Sequence, residues 1–154
     1  MTVHTIRWVH PLHPSRMGMA VHLQRRVDFP MVDLAGIMYY PQYWDMAHRF
    51  FEESWKEICG TEYHVILKEW KLGFPAVFNK ASFEAPLKYG DTIDCTIWIS
   101  AVGRTSCTWE YRFENQDGVT AWRATVTTVC VDMQTIEPEP LPDGLKADLQ
   151  ACVE

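Results

Sequence analysis

The feature that most constrains the fold is one long amphipathic segment, residues 41–59, which is followed by a glycine. When these residues are placed 100° apart, as in an α-helix, most charged side chains fall on one arc. The opposite arc is wide and mostly apolar, so we expect it to face inward. The inward arc consists of Tyr43, Met46, Ala47, Phe50, Phe51, Ser54 and Ile58. Because this stripe is wider than a coiled-coil seam, it predicts a helix that lies against a sheet. Pro41 suits the first helical position and Gly60 suits the C-terminal cap.

The remaining regular segments alternate apolar and polar residues, as strands do. One strand is predicted over residues 19–29, before the helix, and four follow it, over residues 74–87, 92–102, 104–115 and 119–132. Short connections that contain glycine separate the last four, so we expect them to pair in sequence as antiparallel hairpins. A weaker segment, residues 62–71, predicts a short second helix closed by Gly73. This order predicts an α+β domain in which a curved antiparallel sheet of about five strands wraps around one long helix.

A chain of 154 residues, 47% of them apolar, can bury one good core, so we expect one domain over residues 19–133. Residues 1–18 are interpreted as an N-terminal extension and residues 134–154, which hold three prolines, as a C-terminal tail outside the sheet. His4, His10 and His13 lie in the extension without an accompanying Cys, Asp or Glu. We therefore do not predict a metal site there.

Charge and cysteine usage narrow the class of protein. The net charge is −6 and no basic run is longer than Arg25-Arg26, which argues against a nucleic-acid-binding surface. No apolar run is long enough to span a bilayer, so we expect no membrane insertion. The five cysteines are odd in number and include no CxxC pair, which favours buried, reduced thiols. Together these features predict a soluble cytoplasmic protein.

One carboxylate is well placed for chemistry. Asp33 precedes Gly36 in a predicted turn, and the long helix begins a few residues later. The N-terminus of a helix presents unpaired backbone N–H groups and the positive end of the helix dipole. A carboxylate beside such donors could polarise a carbonyl group and attack it, directly or through water.

The same stretch carries a resemblance to a known family. The pieces are Arg26-Val27-Asp28-Phe29 and Val32-Asp33-Leu34-Ala35-Gly36-Ile37-Met38-Tyr39-Tyr40-Pro41-Gln42-Tyr43, then Ala85-Pro86-Leu87-Lys88-Tyr89-Gly90-Asp91 and Gly103-Arg104-Thr105-Ser106. In this order and spacing the chain resembles the hotdog-fold acyl-CoA thioesterases of the 4-hydroxybenzoyl-CoA thioesterase type, over roughly residues 20 to 133. The family fold, a curved sheet around one long helix, agrees with the element order obtained independently above.

The resemblance implies roles for particular residues. It implies that Asp33 carries the hydrolysis, that the backbone N–H of Tyr40 polarises the thioester carbonyl, and that Gly36 contributes to the substrate site. It also implies that Arg104, Thr105 and Ser106 lie near the coenzyme A nucleotide. Relatives form a homodimer whose sheets join edge to edge, or a homotetramer, with active sites at the subunit interface. Coenzyme A enters as part of the substrate, and no other cofactor is implied.

The predicted function is hydrolysis of an acyl-CoA thioester with a small or aromatic acyl group to the free acid and coenzyme A. Whether Asp33 acts as nucleophile or as general base is left open, as is a carrier-protein thioester in place of acyl-CoA. The many aromatic residues suit an aryl pocket, but core packing explains them equally well. Two alternatives are a non-catalytic acyl-CoA binding protein and a hotdog-type hydroxyacyl thioester dehydratase. The dehydratase needs a catalytic histidine, and neither His22 nor His48 is well placed for that role.

Overall fold

The structure is a computed structural model that describes residues 20–154, so the histidines of the N-terminal extension lie outside the described residues. Its strands are β1 (Val21–Arg26), β2 (Leu72–Gly73), β3 (Ala76–Phe83), β4 (Thr92–Val102), β5 (Ser106–Glu114), β6 (Thr120–Val129) and β7 (Val131–Asp132). Its helices are α1 (Tyr40–Cys59), α2 (Tyr63–Lys68) and α3 (Asp143–Gln150). None of the helices in the described range is long and apolar enough to cross a membrane.

The long helix α1 confirms the prediction from hydrophobic spacing. It begins one residue before Pro41 and ends at Cys59, where the N–H of Gly60 donates to the carbonyl of Lys56 at 2.9 Å. All residues of the predicted inward arc are buried, and so is Trp55. The arc faces the sheet, where the ring of Trp109 lies 4.9 Å from that of Phe51. The apolar face of α1 therefore packs directly against the sheet.

Five strands form one antiparallel sheet in the order β1-β4-β5-β6-β3. The hairpins β4–β5 and β5–β6 confirm the prediction, and their inward residues alternate with half-exposed ones. The predicted pairing of residues 74–87 with residues 92–102 is wrong. Both sides of β4 are occupied, by β1 and by β5, so β3 pairs with β6 at the opposite edge. The glycine-containing link at residues 89–91 is a turn, but it connects strands that are not neighbours.

Two further boundaries differ from the prediction. The first strand ends at Arg26, and Phe29 lies in a short 3-10 turn with its side chain 74% exposed. The second helix ends at Lys68 and is capped by Glu69, whose N–H donates to the carbonyl of Val65 at 2.8 Å, and not by Gly73. Gly73 instead belongs to β2, where an added Cβ atom would meet the sulfur of Met133. A side chain at this position would collide with the β7 side of the pair.

The C-terminal segment packs against the rest of the protein, although the sequence analysis assigns no helix to it. The side chains of Leu145 and Leu149 in α3 are fully buried in the common core. After α3 the chain lies beside β4, where the N–H of Ile99 donates to the carbonyl of Cys152 at 3.2 Å. The N–H of Glu154 donates back to the carbonyl of Ile99 at 3.1 Å. These residues thus occupy the side of β4 that β1 leaves free beyond Ile97.

All five cysteines are free and buried, as predicted from their number and spacing. Burial raises the pKa of Cys59 to about 11 and that of Cys130 to about 11. Buried thiols of this kind are packing residues, since the thiolate is the reactive form.

Candidate active site

Asp33 occupies a tight hairpin immediately before α1. Val32 and Met38 form the bridge that closes it, and the N–H of Asp33 donates to the carbonyl of Ile37 at 3.0 Å. The N–H of Gly36 donates to the carbonyl of Asp33 at 2.9 Å, and Gly36 adopts a φ of 77°, which favours glycine. One carboxylate oxygen of Asp33 accepts a hydrogen bond of 2.8 Å from the N–H of Ala35. The predicted turn is therefore confirmed, and its carboxylate is oriented by its own backbone.

The loop before β4 holds this hairpin in place. The N–H of Met38 donates to the carbonyl of Leu87 at 2.7 Å, and Ile37 forms a bridge with Lys88. The loop is itself closed by Asp91, whose carboxylate accepts from the N–H of Lys88 at 2.8 Å and from the side chain of Gln116 at 3.0 Å. Asp91 is thus connected to the Asp33 hairpin through backbone hydrogen bonds.

The start of α1 presents one free donor. Tyr39 is the N-cap, and its N–H donates to the carbonyl of Met31 at 3.3 Å. Within residues 20–154 the N–H of Tyr40 has no hydrogen-bond partner, and Pro41 has no N–H to offer. The Tyr40 N–H is therefore available to an acceptor beside the Asp33 hairpin.

The surface around Asp33 is open and unusually apolar. Asp33 is exposed in the single chain, and together with aromatic and aliphatic neighbours it lines a shallow depression. The large exposed neighbours are Phe29, Leu34, Tyr40 and Tyr89. Apolar side chains of this size around one carboxylate are typical of a binding or subunit-contact surface.

A second, deeper cavity of about 450 Å³ lies between α1, α2 and the β3–β6 side of the sheet. Its helical wall is formed by Trp44, Ala47, His48 and Phe51. These four positions follow Tyr40 at spacings of four, seven, eight and eleven, so they lie on the same face of the helix as Tyr40. Sequence analysis did not predict this cavity, because it depends on strands that are distant in the chain.

Most polar groups at the cavity wall are already paired. The hydroxyl of Thr128 accepts a hydrogen bond of 3.0 Å from the indole of Trp109, and His48 lies 3.0 Å from the carboxylate of Glu52. Burial raises the pKa of Tyr63, whereas a hydrogen bond with the backbone of Phe74 lowers it. Tyr111 differs, because burial raises its pKa well above the usual value and no hydrogen bond opposes this.

The predicted nucleotide contacts lie elsewhere. Arg104, Thr105 and Ser106 form the turn between β4 and β5, which is stabilised by a 2.7 Å hydrogen bond from the N–H of Cys130 to the carbonyl of Thr105. The 11 residues of β4 separate this turn from the loop that holds the Asp33 hairpin. Since a strand rises by about 3.3 Å per residue, the two regions are about 35 Å apart. One chain alone does not bring these three residues to Asp33.

Comparison with known proteins agrees with this architecture. A family model described as the thioesterase-like superfamily matches residues 27–149. The chain is 26% identical over 132 residues to a 1,4-dihydroxy-2-naphthoyl-CoA hydrolase of Synechococcus elongatus, covering 85% of this chain and 96% of the relative.

Solved structures give the same fold. A gentisyl-coenzyme A thioesterase is 25% identical with a TM-score of 0.74, covering 82% of this chain and 99% of the relative. A 1,4-dihydroxy-2-naphthoyl-CoA thioesterase from Synechocystis is 22% identical with a TM-score of 0.76, covering 85% of this chain and 96% of the relative. The family match spans most of the chain and includes the Asp33 hairpin, α1 and four of the five strands of the sheet, all but β1. The chain therefore belongs to the thioesterase-like superfamily and is a thioester hydrolase of the hotdog fold, as the sequence predicts.

Proposed function

We propose that this protein hydrolyses the coenzyme A thioester of an aromatic acid, with Asp33 and the Tyr40 N–H at the reacting carbonyl and the aryl group in the 450 Å³ cavity. One observation carries the proposal. Tyr40, whose free N–H lies beside the Asp33 hairpin, is on the same face of α1 as the residues that form the helical wall of the cavity.

The dimensions suit an aryl group. At a rise of about 1.5 Å per residue, Ala47 and His48 lie about 10–12 Å along the helix from Tyr40. An acyl group whose carbonyl oxygen accepts a hydrogen bond from the Tyr40 N–H would therefore place one or two aromatic rings in the cavity. The cavity volume falls within the range of roughly 300–1,000 Å³ that small-molecule sites occupy. Aromatic side chains of Trp44, Phe51 and Phe74 provide flat apolar walls for such a ring.

The chemistry needs few groups, because a thioester is already a reactive acyl donor. When the carbonyl carbon is attacked, negative charge develops on its oxygen, and the Tyr40 N–H at the positive end of α1 stabilises that charge. In one route Asp33 accepts a proton from the attacking water. In the other Asp33 attacks the carbon itself, and water then hydrolyses the mixed anhydride. In both routes the carbon–sulfur bond breaks and coenzyme A leaves as a thiolate, which takes up a proton.

The relatives support an aromatic acyl group. The proteins named above carry names that specify 1,4-dihydroxy-2-naphthoyl-CoA and gentisyl-coenzyme A, both of which are aromatic acyl-CoA thioesters. The cavity of this chain supplies an independent reason for the same substrate class, since its wall is mostly aromatic and aliphatic.

We further propose that the working form is a homodimer, with Arg104, Thr105 and Ser106 of one copy contacting the nucleotide bound at Asp33 of another. Within one chain these residues are about 35 Å from the Asp33 region, so a shared ligand requires a second copy. The β3 edge suits sheet-to-sheet pairing, because no strand of residues 20–154 pairs with its outer side and Val77, Phe78 and Phe83 are more than half exposed. Analytical ultracentrifugation tests the dimer, and a monomer with full activity would contradict it.

The test of function is a panel of benzoyl-, naphthoyl-, acetyl- and palmitoyl-CoA, together with benzoyl-carrier protein, with release of thiol as the readout. We expect the aryl-CoA substrates to be preferred. Asp33→Asn keeps the oxygen that accepts from Ala35, so folding should be unaffected while kcat/KM falls by roughly 10²–10⁴-fold. The matched control is Asp45→Asn, which removes an exposed acid that pairs with Arg49 on the outer face of α1.

The outcomes separate the proposal from its alternatives. Activity of Asp33→Asn within tenfold of the unmutated protein would contradict the proposed role of Asp33. Tight acyl-CoA binding by calorimetry without turnover would favour the non-catalytic binding protein. Release of an unsaturated acyl-CoA from a hydroxyacyl-CoA would favour the dehydratase.

A further inference from the structure

The turn that follows β7, residues 133–136, forms part of the rim of the cavity beside α1. The N–H of Asp132 donates to the carbonyl of Glu137 at 2.9 Å, and the N–H of Ile136 donates to the carbonyl of Asp132 at 2.7 Å. The carboxylate of Asp132 accepts two further backbone hydrogen bonds from inside the turn, at 2.6 and 3.2 Å. The turn is therefore held by its own hydrogen bonds, and its side chains Met133 and Ile136 line the cavity.

Ile136 has a backbone conformation that is unfavourable for a β-branched residue. Its φ is 59°, in the left-handed region where glycine and asparagine are favoured. Within residues 20–154 the only other non-glycine residue with a positive φ is Lys71, whose carbonyl accepts from the N–H of Met133 at 2.9 Å. Strain of this kind is most often found at ligand-binding sites. A glycine would form the same turn with less strain, so the geometry of the turn does not account for an isoleucine here.

Packing within the chain does not account for Ile136 either. The residue is 60% exposed, whereas Leu145 and Leu149 in α3 are fully buried. Apolar groups stabilise a fold in proportion to the area that is removed from water, so an exposed isoleucine contributes little. Because Ile136 lies at the rim of the cavity, a ligand that fills the cavity would cover its side chain.

The 133–136 turn lies at the end of the cavity that is remote from Asp33. Trp55 follows Tyr40 by 15 residues, which corresponds to about 22 Å along α1. The ring centre of Trp55 is 4.7 Å from that of Phe74, which directly follows β2. Strand β2 pairs with β7, and β7 leads into the turn. An acyl group whose carbonyl lies at Tyr40 would therefore meet the turn only with its distal part.

The volume of the cavity leaves room for such a contact. A cavity of about 150 Å³ in another protein is large enough to bind benzene, and the cavity here is about 450 Å³. One ring would thus fill about a third of the space. A longer acyl group would extend from the helical wall towards the rim.

We propose that Ile136 is a specificity-determining residue that packs against the distal part of the acyl group. This inference rests on the proposed function and adds to it the residue that makes hydrolysis depend on acyl length. A long acyl group covers the Ile136 side chain, and the apolar area removed from water offsets the unfavourable backbone conformation. A short acyl group does not reach the side chain and gains nothing from it.

The test compares the unmutated protein with Ile136→Gly on benzoyl-, 2-naphthoyl- and biphenyl-4-carbonyl-CoA. We expect the variant to lower kcat/KM by about tenfold for the longest acyl group and by at most about twofold for benzoyl-CoA. Its Tm should stay the same or rise, because glycine adopts a positive φ without strain. Ile136→Asn also tolerates this conformation and should change the selectivity in the same direction.

Lys71→Gly is the matched control. Lys71 has a φ of 57° in the neighbouring segment, but its side chain is exposed and does not line the cavity. We expect the same direction of change in Tm and an equal effect on all three substrates. Calorimetric titration with free benzoate and biphenyl-4-carboxylate measures the contact without turnover, and Ile136→Gly should weaken binding of the longer acid alone.

Each contrary result has its own signature. Selectivity that is unchanged in both Ile136 variants, or that changes equally in Lys71→Gly, would overturn the role of Ile136 and leave the proposed function intact. Faster hydrolysis of the longest acyl group by Ile136→Gly would overturn it as well, because the side chain would then block the cavity. A dimer that dissociates in Ile136→Gly during ultracentrifugation would also overturn it, since a second copy would then cover the side chain.

Absence of hydrolysis of any aryl-CoA by the unmutated protein would instead overturn the proposed function. The calorimetric comparison of the two free acids distinguishes these failures, because it does not depend on turnover.

Discussion

Apolar side chains near one end of strand β4 are buried, whereas those near the other end are exposed. At the Val102 end, α3 and the last residues of the chain close over the sheet, and Leu145 and Leu149 are fully buried. At the Thr92 end, the Asp33 hairpin is held by backbone hydrogen bonds while Leu34 and Tyr40 remain exposed. The first end contributes packing energy, whereas the second keeps its surface available for a ligand or another subunit. Stability and activity should therefore respond to mutation at different ends of the same strand.

The largest effect on stability is expected at the Val102 end of β4, which α3 covers. Leu149→Ala should lower the free energy of unfolding by about 2–5 kcal/mol, because it removes a fully buried side chain and leaves a cavity. Urea denaturation measures this loss, and kcat/KM per folded molecule should not change. A loss of activity beyond the unfolded fraction would show that the two ends are coupled.

A smaller effect on stability, with a clear effect on activity, is expected at the loop that holds the Asp33 hairpin. Asp91→Ala removes the acceptor for the N–H of Lys88 and for the side chain of Gln116, at a cost of about 1–3 kcal/mol. Because that loop binds the segment after Asp33, kcat should fall, and hydrogen exchange at the Met38 amide should accelerate. Asp117→Ala, in the neighbouring β5–β6 turn, is the control, and an equal fall in kcat there would contradict the role of Asp91.

The smallest effects are expected from a comparison of two glycines that share a backbone conformation but lie in different turns. Gly36→Ala and Gly118→Ala both place a side chain at a positive φ, 77° and 75°, and neither added Cβ meets another atom within 4 Å. Each should therefore destabilise the protein by the same amount, about 1 kcal/mol. Only Gly36 lies in the Asp33 hairpin, so only Gly36→Ala should lower kcat. Similar kcat values in the two variants would argue that the geometry of this hairpin does not limit catalysis.

Local patterns in the sequence were sufficient for α1 and for the central hairpins. The spacing of Tyr43, Phe50 and Ile58 reports which face of a helix is buried, whatever the helix packs against. The alternation from Cys107 to Phe113 likewise identifies the inward face of β5. These features depend on residues that are near one another in the chain, and the structure agrees with them.

Features that depend on distant residues could not be predicted in this way. The position of β3 at the far edge follows from which strands already occupy the two sides of β4. Gly73 does not cap α2, because it pairs with Val131 in the small sheet. The cavity arises where α1 and α2 meet residues of β2, β3, β5, β6 and β7. The sequence identifies Tyr111 as an inward residue, but only the structure places it at the wall of the cavity.

The intrinsic fluorescence of Trp44 can report on binding in the cavity. Its indole ring lies in the cavity wall, half-buried, with its centre 5.0 Å from the centre of the Trp122 ring and the two ring planes nearly perpendicular. The emission of an indole depends on the water and the aromatic groups beside it, so an arene that enters the cavity should change the fluorescence of this residue. The difference between the unmutated protein and Trp44→Phe isolates that signal from the other tryptophans. Ligand binding in the cavity can thus be followed in real time without labelling the protein or the ligand.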